Sequence, residues 1–96
     1  MTKSKHDLIA EFLAKKFNTE YKSDKGIDLV TPDRVIEVET KSEGLDQGII
    51  QIAHSSKARY LAVSNRIIRL ARELTEGSGI GIMSEKGRII KRAGRR

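Results

Sequence analysis

Three charged residues alternate along one predicted strand of this chain. In the segment RVIEVETK, which covers residues 34–41, Glu37, Glu39 and Lys41 project to the same side, because successive side chains of a strand point to opposite faces. A four-residue turn over residues 31–34, with Pro32 at its second position, joins this strand to residues 27–30. Antiparallel pairing across that turn places Asp28 directly opposite Glu37.

The carboxylates of Asp28, Glu37 and Glu39 predict a cation site. Like charges paired across strands destabilise a hairpin unless a cation neutralises them. Mg²⁺ suits such a group, because it takes oxygen ligands and usually keeps water and substrate phosphates in its shell. The sequence therefore predicts a Mg²⁺ site at these three residues, in which Mn²⁺ can substitute. The alternative is an exposed strand face on which the charges are solvated.

The first half of the chain is expected to form a helix followed by a hairpin. Ser4 and Asp7 resemble a capping box, and apolar residues then recur at helical spacing, which predicts a helix over residues 5–17. Residues 27–30 and 34–40 are rich in β-branched side chains and predict the two strands of the hairpin. The hairpin is therefore the element that positions the carboxylates.

The second half of the chain alternates between predicted helices and strands. Apolar stripes predict helices over residues 45–58 and 66–76, and apolar or β-branched runs predict strands over residues 59–63, 80–83 and 88–91. The order α-β-β-α-β-α-β-β predicts an α/β fold with one mixed central sheet flanked by helices. Residues 1–91 are expected to form a single domain, and residues 92–96 a disordered basic tail.

Charge is distributed unevenly along the chain, whose formal net charge is +6. Residues 57–96 contain eleven Lys and Arg against three Asp and Glu, whereas residues 1–56 contain eight against ten. A basic half suits a polyanion such as DNA, because Lys and Arg that neutralise phosphates release condensed counterions. A solvated basic surface without a partner is the alternative.

Composition argues against several classes of site. The chain contains no cysteine and two histidines, which disfavours disulfides, zinc sites and cysteine nucleophiles. No apolar run approaches the length of a membrane span, and the first residues lack the long apolar core of a signal peptide. We therefore expect a cytoplasmic protein without membrane association. A chain of 96 residues has a modest core and would gain stability as a homodimer.

The acidic hairpin and the segments around it resemble the PD-(D/E)xK, or restriction-endonuclease-like, nucleases. In that family an acidic residue ends the first hairpin strand, here GID at residues 26–28, and an acid-x-Lys run lies on the next strand, here VIEVE at residues 35–39. The stretch DQGIIQIAHSSKARYLAV, residues 46–63, is similar to the helix and strand that follow in archaeal Holliday junction resolvases. The resemblance covers about residues 5–83 and implies the fold of that family.

One position departs from the family pattern. Glu39 stands where the family has lysine, and Lys41 follows one strand period later. Either Glu37-x-Glu39 is the motif, with glutamate in place of lysine, or Glu39-x-Lys41 is the motif and Glu37 is additional. The first alignment is favoured, because the predicted turn pairs Glu37 with Asp28.

The resemblance implies a metal-dependent DNA endonuclease, and its most specific version is a Holliday junction resolvase that acts as a homodimer. Asp28 and Glu37 would hold the metal ion. Glu39 would be a ligand or a general base, and Lys41 would pair with the scissile phosphate. A non-catalytic nucleic-acid-binding module of the same fold is the competing interpretation, because the family lysine is missing at position 39.

Side chains outside the hairpin complete the expected site. Many members of the family keep a glutamate on the first helix, here Glu11, which would be an outer metal ligand; an ion pair between Glu11 and Lys15 is the alternative. The helix after the motif often carries a glutamine near the site. The side chains expected to contact DNA are Gln47, Gln51, Lys57, Arg59, Arg66, Arg69, Lys91 and Arg92.

Overall fold

Helices and strands alternate along the chain, within the residues 3–22 and 26–94 that the computed structural model describes. The helices are α1 (Lys5–Lys16), α2 (Leu45–Ile52) and α3 (Ile68–Leu74). The strands are β1 (Leu29–Val30), β2 (Arg34–Glu39), β3 (Ala58–Val63), β4 (Gly81–Met83) and β5 (Ile89–Lys91). Short 3₁₀ turns, Ser42–Gly44 and Asn65–Ile67, lead into α2 and α3. The helices and strands lie within the predicted segments, except that β3 begins at Ala58, which the sequence assigned to the preceding helix.

Ser4 begins the first helix by the interaction that the capping pattern predicts. Its hydroxyl accepts a hydrogen bond from the N–H of Asp7 at 3.1 Å. This bond satisfies one of the backbone donors that a helix leaves without an internal partner at its first turn. The predicted helix start is therefore confirmed.

Within the described residues, five strands form one mixed sheet in the order β1-β2-β3-β4-β5. The pairs β1/β2 and β4/β5 are antiparallel, whereas β2, β3 and β4 are parallel to one another. Helix α2 joins β2 to β3 and helix α3 joins β3 to β4, so both connections move in the same direction across the sheet. Because connections between parallel strands are right-handed, both helices lie on one face. The predicted α/β architecture, a mixed sheet flanked by helices, is confirmed.

Alternate residues of the central strands contribute to two cores, one on each face of the sheet. Ile36 and Val38 of β2 pack with Leu13 and its neighbours on α1. Val35 of β2 and Leu61 of β3 pack in the other core, which includes residues of α2 and α3. Burial of each large aliphatic side chain contributes about 1.5–3 kcal/mol. The sheet is therefore covered on both faces, and the odd-numbered residues of β2 point towards α2 and α3.

Helix α2 ends at Ile52, six residues before the predicted end at residue 58. The chain has to reverse there in order to enter β3 at Ala58. The guanidinium of Arg59 fixes this reversal, because Nη1 donates to the carbonyl of Ala53, the residue directly after the helix, at 3.0 Å. A contact made by the following strand thus ends the helix, and local periodicity does not reveal it.

The beginning of the predicted tail packs against the domain. The N–H of Ala93 donates to the hydroxyl of Tyr60 at 3.1 Å, and the N–H of Gly94 donates to the carbonyl of Gly79 at 2.9 Å. The prediction of a disordered tail is therefore wrong for residues 93 and 94, which these bonds attach to the sheet. The prediction for residues 95–96 lies outside the described residues.

Candidate functional site

The β1–β2 hairpin brings Asp28 and Glu37 next to each other. The strands pair in the register that the four-residue turn predicts, with Leu29 opposite Ile36. The N–H of Asp28 donates to Glu37 Oε1 at 3.1 Å, and the N–H of Val38 donates to Asp28 Oδ2 at 2.9 Å. Asp28 is only 7% exposed. The predicted proximity of these two carboxyl groups is confirmed, and backbone donors of the hairpin hold both of them.

A hydrogen-bonded network that the sequence did not predict approaches Asp28 from α1. His6 Nε2 lies 3.2 Å from Asp28 Oδ2, and His6 Nδ1 lies 3.1 Å from the hydroxyl oxygen of Tyr21. The Tyr21 hydroxyl donates to Asp7 Oδ1 at 2.6 Å. A protonated imidazole fits these contacts, since both of its ring nitrogens are donors. Periodicity gives no sign of this network, because its members come from a helix, an isolated bridge between Tyr21 and Leu29, and the hairpin.

Two acids of the site, Glu37 and Glu39, are destabilised in their charged forms. Burial, followed by the charge of Asp28, raises the pKa of Glu37 to about 8. Burial also raises the pKa of Glu39 to about 7, an effect that the charge of His6 opposes and that of Asp28 reinforces. The hydrogen bond with Asp28 raises the pKa of His6 to about 9, although burial acts in the opposite direction. A pKa of about 9 makes His6 a cation at neutral pH. Its positive charge lowers the mutual repulsion of the neighbouring acids but does not remove it.

The carboxylate of Glu39 lies against the beginning of α2. A Cβ atom at Gly48 would be 2.6 Å from Glu39 Oε2 and 3.0 Å from Glu39 Cγ, and one at Gly44 would overlap Glu39 Oε1. The two glycines, four residues apart on one side of the helix, make room for this side chain. Glycine inside a helix lowers stability by about 0.5–1 kcal/mol relative to alanine. The glycine at position 48 is therefore the sign in the sequence that another group packs closely against the helix here.

The three carboxylates do not form a complete metal cluster in the observed arrangement. Within residues 3–22 and 26–94, no group of three or more His, Cys, Asp or Glu side chains is placed to hold a metal ion. The chemistry of the donors nevertheless fits a hard divalent ion, since Mg²⁺ usually takes one or two carboxylates from the protein. The raised pKa values of Glu37 and Glu39 also mark a place where positive charge would stabilise the ionised acids. The Mg²⁺ site at Asp28, Glu37 and Glu39 stays a prediction.

Lys41 and Glu11 have neighbours other than the three carboxylates. Lys41 is exposed, two residues after the end of β2, and it lines a surface cavity together with Arg66. Glu11 makes an ion pair with Lys3 at 2.9 Å, and this is the pair observed in place of the suggested pair with Lys15. The charge of Glu11 contributes to the raised pKa of Tyr21, so Glu11 belongs to the surroundings of the His6 network.

Two of the predicted DNA contacts have other roles in the fold. Arg59 is 5% exposed, and its guanidinium donates to the carbonyls of Ala53 and Ser78 at 3.0 and 2.7 Å. The prediction that Arg59 contacts phosphate is therefore wrong, because its donors face the interior. Lys57 donates to the carbonyl of Thr31 at 2.8 Å. It precedes β3 at the amino end of the parallel strands, roughly 20 Å from their carboxyl end, given about 3.3 Å per residue.

The remaining predicted contacts are spread over the α2 and α3 side of the molecule. Gln47, Arg66, Arg69 and Arg92 are exposed, and Gln51 is half-buried. Another set of side chains lines a cavity of about 740 Å³ beside α3, which carries both signs of charge: Asn65, Ile68, Arg69, Arg72, Glu73, Glu76 and Lys91, with Gly77. The exposed members are available to a polyanion, whereas the predicted set as a whole does not form one surface.

The stability of the metal-free protein should fall as pH rises from about 5 to about 9. The pKa values of Glu37, Glu39 and His6 are raised to about 8, 7 and 9, so the folded state keeps protons that the unfolded state releases in this range. Bound protons in the folded state make the free energy of unfolding decrease with increasing pH. We expect a decrease of about 2 kcal/mol, since solvent screens half-exposed groups.

Urea unfolding in EDTA at several pH values measures this dependence. Glu37→Gln, which imitates the protonated acid, should reduce the slope below about pH 8. A free energy of unfolding that is constant or increases over this range would contradict the electrostatics described for the site.

Comparisons with known proteins do not place the chain in a family. No family model matches the sequence, and neither the curated proteins nor the solved structures contain a match. In the part of the chain that the structure describes, no helix is long and apolar enough to cross a membrane. The function therefore has to be argued from the site itself.

Proposed function

We propose that this chain is a metal-dependent DNA endonuclease with a restriction-endonuclease-like fold. The observation that carries the proposal is the pairing of Asp28 with Glu37 across the hairpin, with Glu39 within electrostatic range. Acids grouped in this way have little structural reason to be together unless a cation joins them. The order α1-β1-β2-α2-β3, with the acids on the hairpin, supports the proposed fold.

Each residue of the site has its own proposed role. Asp28 and Glu37 would hold Mg²⁺ or Mn²⁺, and Glu39 would be a third ligand or the base. When bound, the ion supplies activation of water and stabilisation of the charge that develops on the phosphate. The Val38 N–H and His6 orient the Asp28 carboxylate. A pKa of about 7 suits Glu39 to accept a proton near neutral pH.

The proposed substrate is duplex or branched DNA. The exposed guanidinium groups of Arg66 and Arg69 are available to phosphates, and phosphate contacts of this kind position DNA without reading its sequence. The chain has two Tyr, two Phe and no Trp, which argues against a stacking surface for single strands. The most specific form of the proposal is a junction-resolving homodimer.

Cutting assays with the purified wild-type protein test this function. Labelled duplex DNA and a four-way junction of related sequence are incubated with Mg²⁺, with Mn²⁺ and with EDTA. The proposal predicts cutting that depends on the metal, and a higher rate on the junction supports the resolving form. Binding without cutting in either metal would overturn the endonuclease proposal.

A non-catalytic DNA-binding module is the second candidate. The contact between His6 and Asp28 favours it, because a built-in cation already neutralises part of the acidic charge without a metal ion. Glu39 in place of the family lysine points in the same direction. This candidate predicts DNA binding that depends on salt and is indifferent to Mg²⁺.

Gly48→Ala should impair cutting with little effect on stability. The new Cβ would meet Glu39 Oε2 and Cγ at 2.6 and 3.0 Å and move the carboxylate, whereas alanine favours the helix by about 0.5–1 kcal/mol. Because Glu39 would be displaced, we expect a loss of about 10- to 100-fold in the cutting rate and weaker Mn²⁺ binding by calorimetry. Gly94→Ala is the control, since a Cβ there has nothing within 4 Å. Equal rates for the two variants would exclude a role for Glu39.

A further inference from the structure

A surface cavity lies at the carboxyl ends of β2 and β3, next to the acidic site. It measures about 500 Å³ and is lined by Lys41, Ser42, Glu43, Arg66 and Ile67. The loops that form it follow strands paired in parallel, with Glu39 opposite Val63. Loops at the ends of strands commonly carry the binding residues of a protein, which makes the cavity a candidate binding site.

The positive charges of the cavity act on one carboxylate, that of Glu43. Lys41 and Arg66, from the loops after β2 and β3, both act on Glu43, whose carboxylate also accepts a hydrogen bond from the Ser42 hydroxyl at 3.3 Å. Together with the N–H of Glu43, these groups hold the pKa of this acid below its usual range. An exposed carboxylate thus lies among the same positive charges that an external anion in the cavity would meet.

The cavity is also separate from the acidic group. The Lys41 backbone is extended, with φ of −131° and ψ of 145°. Lys41 follows Glu39, the last residue of β2, by two positions, and the cavity lining contains none of Asp28, Glu37 and Glu39. An anion held by Lys41 and Arg66 would therefore lie in the cavity and not among the three carboxylates.

We propose that Lys41, Ser42 and Arg66 form a seat for one internal phosphodiester of a DNA strand, with Glu43 as a competing anion that limits the charge of the seat. The inference deepens the proposed function, because it assigns Lys41 to substrate binding. It rests on that function only in taking DNA as the substrate.

The net charge of the seat can be compared with the charge of each kind of phosphate. Lys41 and Arg66 contribute two positive charges and Glu43 one negative charge, which leaves a net charge of +1. A phosphodiester carries one negative charge, whereas a terminal phosphate monoester carries roughly −1.5 to −2 at neutral pH. An internal phosphodiester would therefore neutralise the seat, whereas a strand-end phosphate would exceed its positive charge.

Salt titrations of DNA binding in EDTA test the seat without any cutting. Lys41→Ala and Arg66→Ala should each weaken binding and reduce the slope of log K against log salt by about 1, because each removes one phosphate contact. Glu43→Gln should bind DNA more tightly. Lys15→Ala, an exposed lysine on α1, is the matched control and should keep the wild-type slope. Circular dichroism verifies that these surface variants fold.

The source of the phosphate is tested with duplexes of one sequence that carry either hydroxyl or phosphate at the 5′ ends. Equal affinity of the wild type for both duplexes supports an internal phosphodiester, and a requirement for the 5′ phosphate overturns it. Unchanged slopes in Lys41→Ala and Arg66→Ala also overturn the seat, even if the wild-type protein cuts DNA. Altered slopes in a protein that never cuts would keep the seat and reject the endonuclease.

Discussion

Asp28→Asn and Glu37→Gln should each reduce metal-dependent DNA cutting at least about 100-fold, since loss of a group that merely orients a metal ligand already costs about 10- to 100-fold. The two side chains lie together on the hairpin, where the N–H of Asp28 donates to Glu37 Oε1. Each change removes a carboxyl group that could hold the metal ion, with little change in shape. Cutting of labelled duplex DNA in Mg²⁺, with binding of Mn²⁺ measured by calorimetry, provides the comparison.

Urea unfolding of these variants shows whether a loss of cutting comes from the site or from a destabilised fold. The pKa of Glu37 is raised to about 8, so glutamine imitates the form that is favoured at neutral pH, and Glu37→Gln should unfold at the same or a higher urea concentration. Glu20→Gln is the control, because this side chain is 86% exposed and lies outside the site. If Asp28→Asn cut DNA at the wild-type rate, the acidic hairpin would not be the active site.

Arg59→Ala should destabilise the protein by about 3 kcal/mol, through two lost charge-assisted hydrogen bonds and the space left in the interior. Its guanidinium joins the end of α2 to the loop before β4, by bonds to the carbonyls of Ala53 and Ser78. Removal leaves both carbonyls without these donors. Urea unfolding measures the change in the free energy of unfolding.

Arg69→Ala is the matched comparison for this prediction. The Arg69 side chain is 94% exposed and lies 4.0 Å from Glu73, a surface pair worth about 0–1 kcal/mol. Arg69→Ala should thus keep the stability of the wild type and reduce the salt dependence of DNA binding. Arg59→Ala should lower the stability and leave the salt dependence of DNA binding unchanged. An Arg59→Ala protein as stable as the wild type would contradict the structural role of this residue.

The hairpin and its acids could be predicted because their geometry is local. A turn of four residues fixes the register of the strands that it joins, so Leu29 opposite Ile36 followed from the position of Pro32. Alternation along β2 then placed Glu37 and Glu39 on one face. The helix beginning at Ser4 was predicted for the same reason, since a capping bond spans three residues.

The surroundings of the acids could not be predicted in this way. His6 and Tyr21 are 22 and seven residues from Asp28, in elements without a shared period, and they meet only because α1 packs on the sheet beside the hairpin. Arg59 has the same residue type as the exposed Arg66. Its burial follows from the path of the chain after α2 and not from its own sequence context.

The sequence by itself determined the order of the elements, the mixed α/β character of the sheet and the juxtaposition of Asp28 with Glu37, because periodicity, turn chemistry and strand alternation act over a few residues. Only the tertiary structure decided which cations face inward, which acid lies against Gly44 and Gly48, and that Lys41 and Arg66 line one cavity at the ends of two parallel strands. These contacts join residues far apart in the chain, and packing of the helices on the two faces of the sheet sets them.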